Sequence, residues 1–344
     1  MKSANPAMNT PHFNHRQTAH CESGVMSALL RHHGLDFNEA MVFGLASALS
    51  FAYIPLVKMA GMPLIAYRTL PKSIIRRASR ALGLRLQMQK FARPEAGMAA
   101  LDRALDEGAL VGLQTSVYWL PYFPAEMRFH FNAHNLLVYG RDGDDYLISD
   151  PVFENVQRCS RQDLQRARFA KGALAAKGLM YCVDAAHMPS ESGLDMRGII
   201  RQALLKNARQ MLPPVWFAGV RGMGTLAAKI EALPRSTDEA YGKLYLGHIV
   251  RMQEEIGTGG AGFRYIYAYF LEQAAERLNA PKLQSCSAEM TAIGDEWRTF
   301  ASLAVRQCRK PKSSGYAEVA AKLREIATQE EALWREIKRV AADL

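Results

Sequence analysis

The spacing of apolar residues changes character once along the chain, and that change limits the fold more than any other feature. Before about residue 184, helical periods alternate with short β-branched and aromatic runs. From 198 to 344 nearly everything has a helical period. Between them residues 184–197 are polar and carry Gly, Pro and Ser, the composition of a linker. The expected fold class is therefore α+β. A sheet-containing N-terminal domain is expected over 13–183, a linker over 184–197 and an all-helical domain over 198–344. In the second part the spacing predicts helices at 197–211, 215–233, 238–256, 263–278, 284–309 and 316–343. The last carries apolar residues at 319, 323, 326, 333, 337, 340 and 344, interrupted by Glu330. That interruption favours a seam within a bundle over a free coiled coil.

In the first part, Cys21–His33 reads as a helix closed by Gly34. A second helix follows, with Asp36 or Asn38 near its start. Residues 101–108 read as another helix with a Gly stop, and 109–120 as a buried strand. HNLLVYG (134–140) and DYLISD (145–150) flank GRDGD and predict a hairpin. Residues 40–57 carry no charge, yet Gly44, two serines and Pro55 interrupt them, so a buried helix and turn are expected rather than a membrane span. Residues 1–12 read as a tail without the apolar run of a secretory signal, and a cytoplasmic location is expected.

Hydrophobic residues make up 49% of the 344, which excludes wholesale disorder. Lys and Arg number 43 against 33 Asp and Glu, an excess that suits an acidic partner. Much of it lies between Glu39 and Glu95, where no acidic residue occurs. A helix over 74–84 would gather Arg76, Arg77 and Arg80 on an exposed face. No nucleic-acid motif or aromatic interleaving accompanies these charges, so nucleic acid is not the expected ligand. The five cysteines include no CxxC pair, which argues against both a disulfide framework and a zinc site. His12, His15 and His20 lack the further ligands a metal site needs. GTGGAG (257–262) matches a dinucleotide-binding pattern literally but follows a helix, so it reads as a helix-to-helix turn. A phosphate held at the start of the next helix, near Phe263, is the minor alternative.

Three residues could make a reactive centre. Cys21 stands where a helix should begin, and the positive end of a helix stabilises a thiolate. Counting outward from a turn centred near residue 142 places His134 directly opposite Asp150, an imidazole beside a carboxylate. The order Cys at a helix start, His on a strand, Asp on the next strand is that of papain-like thiol enzymes. Tyr118, Trp119 and Tyr122, clustered around Pro121, could pack in the core or wall an acyl pocket.

The run HCESGVMSALLRHHGLDFNEAMVFGLASALSFAY (20–53) resembles the N-terminal domain of the butirosin biosynthesis protein H family, as does HNLLVYGRDGDDYLISDPV (134–152). Residues 198–344, best at 259–278, resemble that family's second domain. The resemblance implies a papain-like fold and transfer of an acyl group from an acyl carrier protein thioester. In the member that gives the family its name, that group is aminoacyl and the acceptor is an aminoglycoside amine. It implies Cys21 as nucleophile, His134 as base and acid, and Asp150 as the residue orienting His134. Papain-like enzymes also place a Gln six residues before the Cys; here that position is His15, while Gln17 lies four before, so both are candidate oxyanion donors. No cofactor of the protein's own is implied, since phosphopantetheine arrives on the carrier. The implied partners are an acidic acyl carrier protein, docking on Arg76, Arg77 and Arg80, and a small-molecule amine or hydroxyl acceptor. A homodimer is one arrangement open to the chain. Two other functions stay open: a cysteine hydrolase (C39-like peptidase, amidase or thioesterase) using the same residues, and a basic binding module without catalysis.

Overall fold

The structure is a computed structural model, described here for residues 13–59, 61–309 and 315–344. The expected tail, with His12, lies outside the described residues. In chain order the first elements are α1 (Cys21–His32), α2 (Glu39–Leu45), β1 (Leu49–Met59), β2 (Met62–Arg68), α3 (Ser73–Ala81), β3 (Leu86–Gln89), α4 (Pro94–Asp106) and β4 (Val111–Thr115). Then come β5 (His134–Asp142), β6 (Asp145–Ser149), β7 (Gln157–Ser160), α5 (Arg161–Arg168) and β8 (Met180–Val183). The remainder is helical: α6 (Met196–Met211), α7 (Gly219–Ser236), α8 (Glu239–Glu254), α9 (Arg264–Leu278), α10 (Pro281–Arg309) and α11 (Gly315–Asp343).

The chain forms two compact units. The first holds residues up to Asn38 together with Gly83–Gly193; the second holds Glu39–Leu82 and Leu194–Leu344. The linker composition thus marks one passage between units, but residues 39–82, expected in the first domain, belong to the helical unit. Their packing gives the reason. Gly44 lies flat against Phe270, where a Cβ would come within 2.0 Å of the ring. The Tyr245 hydroxyl donates to that of Tyr53 at 2.8 Å, and Asn207 donates to the Leu49 carbonyl at 2.9 Å. Neither Asn38–Glu39 nor Leu82–Gly83 looks like a linker, so composition could not reveal these crossings. Residues 40–57 also differ from expectation. They form only the short α2, a turn at Ser47 with φ +49°, and then β1. Among the described residues no helix is long and apolar enough to cross a membrane.

The first unit is built on a six-stranded antiparallel sheet in the order β3-β8-β4-β5-β6-β7. Alternate residues of its central strands, including Leu113, Leu136, Val138 and Ile148, are fully buried with Met98 and Leu101 of α4 and Leu164 of α5. Each such side chain contributes about 1.5–3 kcal/mol. That supply matters here, because an ionic pair buried in the same unit costs several kcal/mol per ion in lost hydration. The expected strand at 109–120 is shorter than predicted: after Thr115 the chain turns into a single 3-10 turn, Val117–Trp119.

In the second unit the six predicted C-terminal helices all form, and with α2, α3 and the β1–β2 hairpin they complete the unit. Glu330, the break in the apolar stripe of α11, is fully buried and bound to Arg264. The GTGGAG turn joins α8 to α9 as expected. The backbone N–H of Ala261 within it already donates to the Glu254 carboxylate at 3.2 and 3.3 Å, an environment that repels phosphate.

Candidate functional site

Cys21 is the first residue of α1, and its thiol is buried. The helix starts there because His20 is extended (φ −125°, ψ 125°) and its imidazole Nδ1 accepts from the Ser23 backbone N–H at 3.3 Å, capping the first turn. His20 stands where Ser, Thr, Asp or Asn is usual, which hides this cap from sequence rules. Gly24, one turn along, fixes how the helix sits: a Cβ there would meet the Thr18 hydroxyl at 2.1 Å and Pro151 at 2.8 Å. Cys21 is thereby held beside the chain segment that carries Asp150.

His134 opens β5 and pairs with Thr115 of β4. Its Nε2 lies 2.7 Å from Asp150 Oδ2. The imidazole also hydrogen-bonds the Cys21 side chain, and with Nε2 on the carboxylate its Nδ1 is the atom for the sulfur. Burial alone would push the imidazole pKa down. The charge and hydrogen bond of Asp150, with smaller contributions from Cys21, outweigh it and raise the pKa to about 10. The protonated ring is therefore favoured. Phe123 meets the imidazole edge-on, with centroids 5.4 Å apart. Asp150 is completely buried. Its Oδ2 also accepts from the Tyr122 hydroxyl at 2.8 Å, and its Oδ1 from the Val152 N–H at 3.2 Å. Those donors hold the carboxylate in place against the imidazole.

His134 and Asp150 meet, but not by the expected register. The turn is the two-residue Gly143–Asp144, with Asp142 opposite Asp145 and Gly143 at φ +61°. The ladder then shifts between Val138 and Gly140, leaving Tyr139 as a one-residue bulge, and ends at Leu137–Ser149. Asp150 follows that end and is diagonal to His134, not opposite. Without the bulge Asp150 would fall opposite Leu137, on the other face of the sheet from His134. With it, the extended ladder sets Asp150 opposite Leu136, on the face His134 uses.

The other candidates are placed differently. Both ring nitrogens of His15 are engaged, Nδ1 with the Ser149 hydroxyl at 2.7 Å and Nε2 with the Phe153 carbonyl at 2.9 Å. Gln17 is exposed and its amide donates to the Val152 carbonyl at 3.1 Å. Both tie residues 15–18 to the segment after β6, a bond continued by Thr18 N–H to the Pro151 carbonyl at 2.7 Å. Both ring nitrogens of His15 are thus taken, which corrects its expected role as an oxyanion donor, while the Gln17 amide is bonded to the segment after β6. Tyr122 is a donor to Asp150 rather than only an aromatic wall. Tyr118 and Trp119 are exposed at the surface, Tyr118 stacked on His130 at 4.0 Å and Trp119 beneath Arg166 at 5.7 Å. Arg76 and Arg80 are exposed on α3, in the second unit. Arg77 turns inward to the Ser47 carbonyl at 3.2 Å and Gln210 at 2.8 Å, so it is part of the packing and not of the expected exposed face. Among the described residues no group of His, Cys, Asp and Glu is placed to hold a metal ion.

Sequence reasoning missed Asn135 and Tyr181, both buried at the site. Asn135 Nδ2 lies 4.0 Å from Cys21 Sγ, and the Tyr181 hydroxyl donates to Asn135 Oδ1 at 3.1 Å. Asn135 directly follows His134, a neighbour the motif itself could have flagged; nothing marked Tyr181, which comes from a strand far along the chain.

Two family models match. Residues 20–151 match the N-terminal domain of butirosin biosynthesis protein H, and residues 162–337 match a domain of unknown function, DUF4872. Among curated proteins no sequence matches the chain. Of solved structures, one described as a C39-like peptidase from Bacillus anthracis aligns with 51% of this chain and 94% of its own, at 12% identity and a TM-score of 0.35.

Proposed function

Because the chain belongs to the butirosin biosynthesis protein H family, and its first unit has the papain-like layout of a cysteine-dependent enzyme, we propose that it is an acyltransferase acting on an acyl carrier protein thioester. The observation that carries the reading is the continuous hydrogen-bonded chain from Tyr122 through Asp150 and His134 to Cys21, at the start of a helix. Imidazolium beside the sulfur attracts its thiolate, as does the helix N-terminus. Thiolate Sγ attacks the thioester carbonyl carbon. The C–S bond to the pantetheine arm breaks, and the departing sulfur takes the proton from His134. The acceptor amine or hydroxyl then attacks the acyl-enzyme, His134 removes its proton, and Cys21 leaves as thiolate. Asp150 keeps the imidazole oriented and balances its charge throughout.

Mixing the protein with a panel of acyl-carrier thioesters and weighing it intact tests this. An adduct of acyl mass is expected on Cys21, absent in Cys21→Ala, and transferred when the right amine or hydroxyl compound is added. Release of the free acid alone would make water the acceptor and the protein a hydrolase. No adduct from any thioester would remove the reading. The other cysteines should stay silent: burial pushes the Cys159 thiol up to about 12 and Cys286 up to about 11, and it also raises Cys182 and Cys308.

A further inference from the structure

Cys21, His134 and Asp150 supply a nucleophile, a proton carrier and an orienting carboxylate, but no group for the negative charge that appears on the acyl oxygen. Gln17 and His15 are engaged elsewhere. Asn135 is buried and meets the sulfur. Its Nδ2 donates to the Ala133 carbonyl at 3.1 Å, and since a carbonyl only accepts, that bond fixes which end of the amide is NH₂. The Tyr181 hydroxyl holds the other end. An NH₂ group has two hydrogens; with one on Ala133, the second is available to the sulfur 4.0 Å away. Tyr181 is itself seated at some cost to the sheet. Position 112 must be glycine, because a Cβ there would come within 2.2 Å of the Tyr181 ring. A buried amide is costly wherever it lacks partners, so an apolar residue would be the simpler filling.

We propose that Asn135 is a catalytic residue whose amide hydrogen supports negative charge at Cys21, first on the thiolate and then on the acyl oxygen of the tetrahedral intermediate, with Tyr181 as its positioning residue. The amide donates a hydrogen bond and transfers no proton. This rests on the acyl-transfer reading above.

The test measures acyl-enzyme formation from an acyl-pantetheine thioester by intact mass, together with the pH profile of Cys21 alkylation by iodoacetamide. Asn135→Ala, Asn135→Asp and Tyr181→Phe are compared with wild type, each checked for folding by circular dichroism. In Asn135→Ala the acylation rate should fall on the order of 10²–10³-fold with little change in KM, while Cys21 is still alkylated. Asn135→Asp, nearly the same size, should fall at least as far, and it carries the test if the alanine variant does not fold. Tyr181→Phe should lose on the order of tenfold. An acylation rate within about threefold of wild type in a folded Asn135 variant overturns the inference. If wild type takes no acyl group from any thioester, acyl transfer is what fails. Asn135 is then judged by alkylation alone: a midpoint raised in Asn135→Ala supports the donor, and an unmoved midpoint overturns it.

Discussion

Among the described residues each unit buries one ion pair, and the two are finished in opposite ways. In the helical unit, Glu330 Oε1 accepts from Arg264 Nε at 2.9 Å and Trp297 Nε1 at 2.7 Å. Its Oε2 accepts from Arg264 Nη2 and Trp334 Nε1, both at 3.2 Å. Arg264 donates further to the Gly262 carbonyl and lies 4.8 Å over the Trp297 ring. Every bond leads back into the packing. In the sheet unit the corresponding path runs Tyr122, Asp150, His134 and stops at a sulfur. Burial and a strong ion pair are common to both, so neither marks a functional centre by itself. What separates them is whether the network ends on an atom able to form a bond with something else.

That contrast can be broken most forcefully from the catalytic side. Asp150→Asn should fold yet lose about 10²–10⁴ in the rate of acyl-enzyme formation, measured in single turnover. Retained activity would mean that His134 needs no charge behind it, and the two clusters would be alike after all. On the structural side, Glu330→Gln leaves the Arg264 guanidinium without its anion. A loss of about 3–5 kcal/mol in urea unfolding is expected, and an unchanged midpoint would contradict the closed network.

A pH series sharpens the comparison further. His134 has its native pKa raised from 6.5 to about 10. Between those values the native state holds a proton that the unfolded chain has released, so the pair's stabilising contribution is complete below pH 6.5 and is lost as pH rises through about 10. Wild type should lose this contribution over that window and His134→Ala should not, read from melting temperature against pH. The smallest effect belongs outside both clusters. Arg76→Glu with Arg80→Glu should raise KM for a carrier-bound thioester several-fold and leave a small thioester almost unchanged. Equal loss on both substrates would make that face structural. Arg77 is omitted from the pair because its contacts are internal.

The sequence carried much of this, unevenly. Periodicity placed the C-terminal helices because their apolar stripes are long; α11 runs 29 residues. The neighbourhood of Cys21, His134 and Asp150 was readable because a helix start and a hairpin are local features. The assignment of 39–82 to the helical unit was not, since it depends on single long-range fits such as Gly44 against Phe270. Nor was Asn135's support, because Tyr181 is 46 residues away on β8. Glu330 showed itself as an irregularity in a stripe, but its partner 66 positions earlier had no local mark.

The bulge at Tyr139 has a consequence for how the chain can change length. The separation of His134 from Asp150 matters only as odd or even, and the strand and its turn set that parity together. Deleting Tyr139 should leave a regular ladder, with Gly140 still opposite Leu147 and Val138 opposite Ile148, and so keep Asp150 on the face His134 uses. Inserting one residue between Leu136 and Leu137 of that variant, where no bulge absorbs it, should set His134 and Asp150 on opposite faces. Activity kept with the first change and lost with the second would show that the bulge serves to take one surplus residue out of the count between the two side chains.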